Sequence, residues 1–272
     1  MKEFLTIKEF AKLSGIEQTT LRYWDEIGLF SPAKRNPDNL YRYYSPKQII
    51  AVNFITVLSS LNIPLKTIGA IESDRSPEKI MELIEQQERR LDMEMQRLRE
   101  CYSVMHTRLE LIRNGLRLEK GVPAGETQIM VTTLEERNYL LGPLTGFTEG
   151  ETFIEPFMRF CRQAKELRIN LSYPIGGFHS DIKHFYQSPG QPERFFSLDP
   201  TGNRQIEQGR YLVGYCRGNY GEMGDLPLRM AAYAEEHSLT LKGPVYALYL
   251  HDEISLKDVS KYLAKVSIMI GN

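Results

Sequence analysis

The sequence predicts an α+β chain in three parts: short capped helices with a hairpin, one very long helix, and an antiparallel sheet backed by two helices. Three observations carry the prediction. Cap and turn residues crowd the first 75 positions, an apolar repeat runs from Ser76 without a breaker until Gly115, and strand-like and helix-like stretches alternate from residue 126 in an order that repeats once. At 272 residues, 42% apolar and 25% charged, the chain is long enough for two cored domains and a connector. The boundaries expected are 1–75, 76–118, a linker at 119–125, and 126–272. Met1 to Thr6 has no basic-then-apolar leader, and no window approaches the roughly 18 apolar residues of a membrane span. A cytoplasmic protein with no membrane partner is expected.

In the first part, Thr6-Ile7-Lys8-Glu9 is a capping box, after which Phe10, Ala11 and Leu13 give helix 1 its apolar face. Ser14-Gly15-Ile16 is a tight turn. Helix 2 runs from about Glu17 to Glu26 and ends near Gly28, with Pro32 closing the exit. Two such helices joined by a glycine turn form a helix-turn-helix. Asn36-Pro37-Asp38-Asn39 followed by Leu40-Tyr41-Arg42-Tyr43-Tyr44 reads as a hairpin wing. Ser45-Pro46 opens a third helix, and Asn62-Ile63-Pro64 a short fourth.

In the second part, Ile80, Ile84, Leu91, Met95, Leu98, Met105, Leu109, Ile112 and Leu116 mark a coiled-coil spacing with one stutter. Some 40 helical residues span about 60 Å, longer than any neighbour in the chain. An antiparallel coiled coil between two copies is therefore expected.

In the third part, Phe153, Phe157, Phe160, Ala164 and Leu167 share one helix face between strand-like stretches at Tyr139–Leu141 and Tyr173–Phe178. A strand at Arg194–Leu198 completes the unit. The order recurs with Tyr211–Tyr215, a helix over Leu226–Glu236, and strands at Val245–Leu250 and Leu263–Ile270. Two β-α-β-β units side by side make one antiparallel sheet. Cys101, Cys161 and Cys216 show no metal or disulfide spacing and are expected to be buried. No metal site and no cofactor are expected. The five histidines (His106, His179, His184, His237, His251) form no cluster along the chain, and no nucleophile-base spacing stands out, so no catalytic residue is assigned.

Charge separates the ends. Nine Lys and Arg face six Asp and Glu up to Ala70, about +3, whereas sixteen face nineteen from Glu119 onward, about −3. That polarity suits nucleic acid at the N-terminal end. Thr19, Thr20 and Tyr23 lie on the exposed side of helix 2, where they can reach base edges or phosphates, with Arg22 one step round. On the wing, Arg42 should clamp the flanking backbone with Tyr41 and Tyr43 beside it. The stretch Leu21-Arg22-Tyr23-Trp24-Asp25-Glu26-Ile27-Gly28-Leu29-Phe30-Ser31-Pro32, with Tyr41-Arg42-Tyr43-Tyr44, closely resembles the MerR family of transcriptional regulators. Trp24 stands where that family has a second tyrosine, and is counted with the DNA-contacting set. The resemblance implies a homodimer on double-stranded promoter DNA whose −35/−10 spacer is too long. It further implies activation of RNA polymerase holoenzyme by distorting that spacer.

The third part resembles the GyrI-like effector domain of multidrug-sensing regulators of the BmrR type, on Glu207-Gln208-Gly209-Arg210-Tyr211, Gly218-Asn219-Tyr220-Gly221 and Gly243-Pro244-Val245-Tyr246. The implied effector is a small amphipathic, often cationic, compound. Of 28 aromatic residues 18 follow Gly121. Phe153, Phe178, Tyr215, Tyr246 and Tyr262 are the candidates to line its pocket. Drug sensors of this type carry a buried glutamate where this chain has Ala247. Asp181, Asp225, Asp252 and Glu253 are the acids that could replace it. The alternatives are a small-molecule hydrolase or a protein-interaction module in the same place.

Overall fold

The computed structural model describes residues 2–72, 74–119 and 128–271 and divides into two compact units, one up to Leu98 and one from Arg99. The expected linker lies, past Glu119, outside the described residues.

The first unit is built from β1 (Leu5–Thr6), α1 (Ile7–Ser14), α2 (Gln18–Glu26), β2 (Lys34–Arg35), β3 (Arg42–Tyr44), α3 (Ile49–Ser60) and α4 (Leu65–Glu72). The capping box is closed: Glu9 donates its backbone N–H to Thr6 Oγ1 at 3.3 Å, and its carboxylate accepts from Thr6 N at 2.9 Å. Gly15 and Gly28 end α1 and α2 with φ of 73° and 71°, which side chains with a Cβ resist. The wing gains a strand beyond the hairpin, since β1 pairs β3 on the side opposite β2. Ser45 and Gln48 form a second capping box ahead of α3. The core stacks Phe10, Phe30 and Tyr44 with centroids 4.8–6.0 Å apart, under Leu21, Trp24, Val52 and Ile55.

Helix α5 (Pro77–Glu119) does not stop at Gly115. A Cβ there would stand 2.4 Å from the His251 ring, so the glycine lets α5 lie close to the sheet rather than breaking it. Leu111 and Leu118 pack on the sheet, while Ile84, Leu91, Met95, Leu98, Met105, Leu109 and Leu116 are 41–61% exposed.

The second unit carries β4 (Gln128–Leu134), β5 (Arg137–Leu144), α6 (Ile154–Ala164), β6 (Ile175–His179), α7 (Ile182–Gln187), β7 (Arg194–Ser197), β8 (Arg204–Ile206), β9 (Gly209–Arg217), α8 (Leu226–Glu236), β10 (Leu241–His251) and β11 (Leu263–Ile270). The sheet order is β4-β9-β11-β10-β6-β7-β5-β8. Both expected β-α-β-β units are there, as β5-α6-β6-β7 and β9-α8-β10-β11, each with its third strand between the first two. They meet through antiparallel β6 and β10, where Ala247 faces Gly177. Strands β4 and β8 and helix α7 add to the expected layout. Val245, Ala247 and Tyr249 face α7 and α8, whereas Tyr246, Leu248 and Leu250 point to the opposite face.

Candidate nucleic-acid interface and ligand cavities

Helix α2 divides cleanly by its 3.6-residue period. Leu21 and Trp24 face the core, while Thr19, Arg22 and Tyr23 face outward, Tyr23 being 51% exposed. Thr20 is half-buried. The placement corrects one expectation: Trp24 is 5% exposed, edge-on to Phe30 with centroids 6.4 Å apart, so its indole cannot reach DNA. Arg42 is also tied down. Its Nε donates to Asp25 at 2.6 Å, and Arg35 Nη2 donates to both oxygens of the same carboxylate at 2.7 and 2.6 Å. Asp25 is buried, and this node locks the wing to α2, which leaves only the outer edge of Arg42 for a phosphate. Tyr41 is exposed and Tyr43 half-buried. Neither Asp25 nor Arg35 is among the sequence candidates, because the node that joins them to Arg42 forms only when the wing folds back on α2.

In the second unit the five aromatic candidates do not converge. Phe153 lines a narrow slot over the β6/β10 seam, together with Phe157, Tyr220, Tyr249, Ala247, Asp252 and Glu253. Tyr215 and Tyr246 line a separate chamber on the opposite face, and Phe178 shares with Tyr246 a further, more open cavity of about 560 Å³. Tyr262 is buried behind Tyr220, centroids 5.5 Å apart, and reaches neither cavity. Strand alternation accounts for the split. Adjacent Tyr246 and Ala247 must point to opposite faces, and Tyr249 is the residue that shares the side of Ala247.

The slot is an aromatic sandwich with an acidic rim. The Phe153 and Tyr220 rings stack at 5.4 Å and 12°, and Tyr249 meets Tyr220 edge-on at 4.6 Å. Tyr249 Oη donates to Asn219 O at 3.0 Å and accepts from Gly221 N at 3.1 Å, which fixes the turn that carries Tyr220. Tyr220 Oη donates to Glu253, and burial followed by that carboxylate pushes its phenol far above the usual range. Asp252 accepts from Arg108 Nη1 at 3.2 Å, while Arg108 Nε donates to Ser172 O at 2.8 Å. Of the four acids considered as replacements at Ala247, Asp252 and Glu253 therefore border the slot. Asp181 instead caps α7, accepting from His184 N at 2.8 Å, and Asp225 is exposed. The cavity itself is only about 90 Å³.

Two further expectations need correcting. His179 and His184 do form a pair, Nδ1 to Nδ1 at 2.9 Å, and burial followed by the His184 charge lowers His179 to about 4. Cys101 is exposed on α5 rather than buried, and Cys161 and Cys216 are half-buried. Among the described residues no group of three His, Cys, Asp or Glu is placed to hold a metal ion, and no helix is long and apolar enough to cross a membrane.

The MerR HTH family of regulatory proteins matches residues 5–74, the span that holds α1, α2 and the wing. This N-terminal domain belongs to the MerR family. Along its whole length the chain is 24% identical over 275 residues to the multidrug-efflux transporter 2 regulator of Bacillus subtilis, covering 99% of this chain and 97% of the relative. The multidrug-efflux transporter 1 regulator of the same organism is 23% identical over 283 residues, with both chains fully covered. The transcriptional regulator BrlR of Pseudomonas aeruginosa is 44% identical over 70 residues, 26% of either chain. The two whole-length relatives are thus regulators of multidrug-efflux transporters, and the third is a transcriptional regulator.

Proposed function

We propose that the protein is a ligand-responsive, DNA-binding regulator of transcription that acts in the cytoplasm as a homodimer. The observation that carries this reading is the MerR-type domain, with Thr19, Arg22 and Tyr23 on the outer face of α2 and a wing anchored through Asp25. The exposed apolar stripe of α5 supports pairing with a second copy, because seven large side chains along one line gain most by covering each other. In this reading the connector is the helix at 76–118, and the effector domain is 126–272.

The effector site of this proposal is the slot. Its rings present negative π faces, and Asp252 and Glu253 supply charge at the rim, so the class it suits is an amphipathic compound, often a cation. Ala247 leaves the floor without a carboxylate. A cavity of about 90 Å³ is well below the roughly 300 Å³ of small-molecule sites. A drug-sized effector therefore enters only when Phe153 and Tyr220 part. Arg108 joins this rim to α5, and gives occupancy a route to the dimer helix. No nucleophile-base pair is assigned to the slot, and the whole-length relatives are regulators of multidrug-efflux transporters. The protein is read as a non-enzyme on that basis. The activation step would be distortion of an over-long promoter spacer to suit RNA polymerase holoenzyme.

The test is transcription in vitro from the promoter upstream of its own coding region, with dodecyltrimethylammonium as effector. The reading expects DNA affinity to change little and transcript yield to rise severalfold. Phe153→Ala should abolish the rise and leave DNA binding intact. A chain that binds no DNA, or a compound that is chemically altered on incubation, would overturn it.

A further inference from the structure

The chamber on the opposite face of the sheet has a different chemistry. It lies between the sheet and the last turns of α5, has a volume of about 350 Å³, and is walled by Leu111, Leu118, Tyr215, Tyr246 and Leu248. That volume falls within the range of small-molecule sites, roughly 300–1,000 Å³. Lys265 rises from its floor. This lysine stands on β11, beside Tyr215 of β9 on one side and Leu248 of β10 on the other. A half-buried ammonium inside a sheet is costly unless an anion meets it. No acid partner to Lys265 is found among the described residues. Of the charged groups lining the chamber among the described residues, Arg117, Arg137 and Lys265 are cationic and Glu135 alone is anionic. Arg137 is itself held by Glu110 at 2.9 Å.

We propose that this chamber is a second ligand site, one that takes an amphipathic carboxylate with its head group on Lys265 and its apolar tail against α5. The ammonium is a compact point charge, suited to a carboxylate rather than to a flat bidentate partner. Ser267, two residues along on the same face, adds a hydroxyl donor within the lining. The site shares no lining residue with the slot, so either can fail without the other.

Burial, and secondarily the charge of Arg137, holds Lys265 down to about 8. Arg117, Glu135, Arg137, Tyr215 and Tyr246 face it from the neighbouring elements. Burial raises the phenols of Tyr215 and Tyr246, so both remain neutral where the lysine titrates. Carboxylate binding should therefore weaken as pH passes about 8 and the ammonium is lost.

The experiment is isothermal titration of the full-length protein with sodium decanoate and, separately, with decyltrimethylammonium. Decanoate should bind the parent protein, bind Lys265→Met at least tenfold more weakly, and bind the parent more weakly at pH 9 than at pH 7. The cation should bind both proteins alike. Leu111→Trp, which fills the chamber from the α5 wall rather than from the strand beside the lysine, should also remove decanoate binding and guards against misfolding of the first variant. Equal decanoate affinity in parent and Lys265→Met, loss of both ligands together, or no decanoate binding at all would overturn the proposal.

Discussion

Asp25 and Lys265 are both charged groups withdrawn from water, and they are served in opposite ways. Asp25 sits at the end of α2 with two guanidiniums on its oxygens, three hydrogen bonds of 2.6–2.7 Å in all. Lys265 sits mid-sheet with a cavity in front of it and no acid partner among the described residues. The first charge is spent inside the fold, holding the wing on its helix. The second leaves its electrostatic demand open among the described residues, and an anion from solution can meet it. The difference suggests how to sort buried charges: a paired one argues for architecture, an open one for a ligand.

The sharpest way to break the comparison is to remove each charge in turn. Asp25→Ala should cost about 3 kcal/mol, because two cations lose their shared partner and the wing loses its anchor. Trp24 is the single tryptophan in the chain and is buried beside Asp25, so its fluorescence in urea reports the unfolding of this unit directly. An unchanged urea midpoint would show that the node is ornamental. Lys265→Met should do the reverse and stabilise its unit at pH 7. The folded lysine releases its proton near 8, whereas an unfolded one keeps it to about 10.5. Unfolding between those values takes up a proton, so the stability of the parent rises with pH across that window. The gap between parent and Lys265→Met should close by pH 10.5, and amide exchange of β9 and β11 would measure it. A gap that does not vary with pH would mean the lysine titrates normally.

The slot allows a third test, in which a charge is added. Ala247→Glu places a carboxylate on the floor, opposite Gly177 across the β6/β10 seam. The aromatic walls would then have a counter-charge inside the cavity and not only at its rim. Dodecyltrimethylammonium should bind about tenfold more tightly, equivalent to roughly 1.4 kcal/mol, while decanoate in the chamber is unaffected. No gain for the cation would argue that Asp252 and Glu253 already supply what the slot needs.

How much of this could be read in the sequence depends on where the information lies. The caps at Thr6 and Ser45 and the glycine turns at 15 and 28 are local, and the elements they bound fall where they were expected. The doubled β-α-β-β order was legible too, because each long strand and helix has a period of its own. Helix α7 has six residues, too few to show a period, and β8 has three. The cavities are not legible from the number of aromatic residues, because the pleat sends Tyr246 to the chamber and Tyr249 to the slot. The pairing of Asp25 with Arg35 and Arg42 joins residues ten and seventeen positions apart, which no spacing rule within one helix can find.

The smallest expected effect concerns the two arginines at the DNA-facing end, and it applies the same distinction at the surface. Arg22 is exposed and makes no ion pair with Asp25, so its charge is free for phosphate, whereas the Nε of Arg42 is already committed to that carboxylate. Each phosphate contact contributes about 0.9 to the slope of log affinity against log salt. Arg22→Ala should flatten that slope by about one unit per protomer without shifting the Trp24 unfolding midpoint. Arg42→Ala should flatten it by less, and should lower the midpoint because the wing loses one of its two ties to α2. If the two variants exchanged these results, Arg42 would be the phosphate clamp after all, and its bond to Asp25 would serve to aim the guanidinium rather than to occupy it.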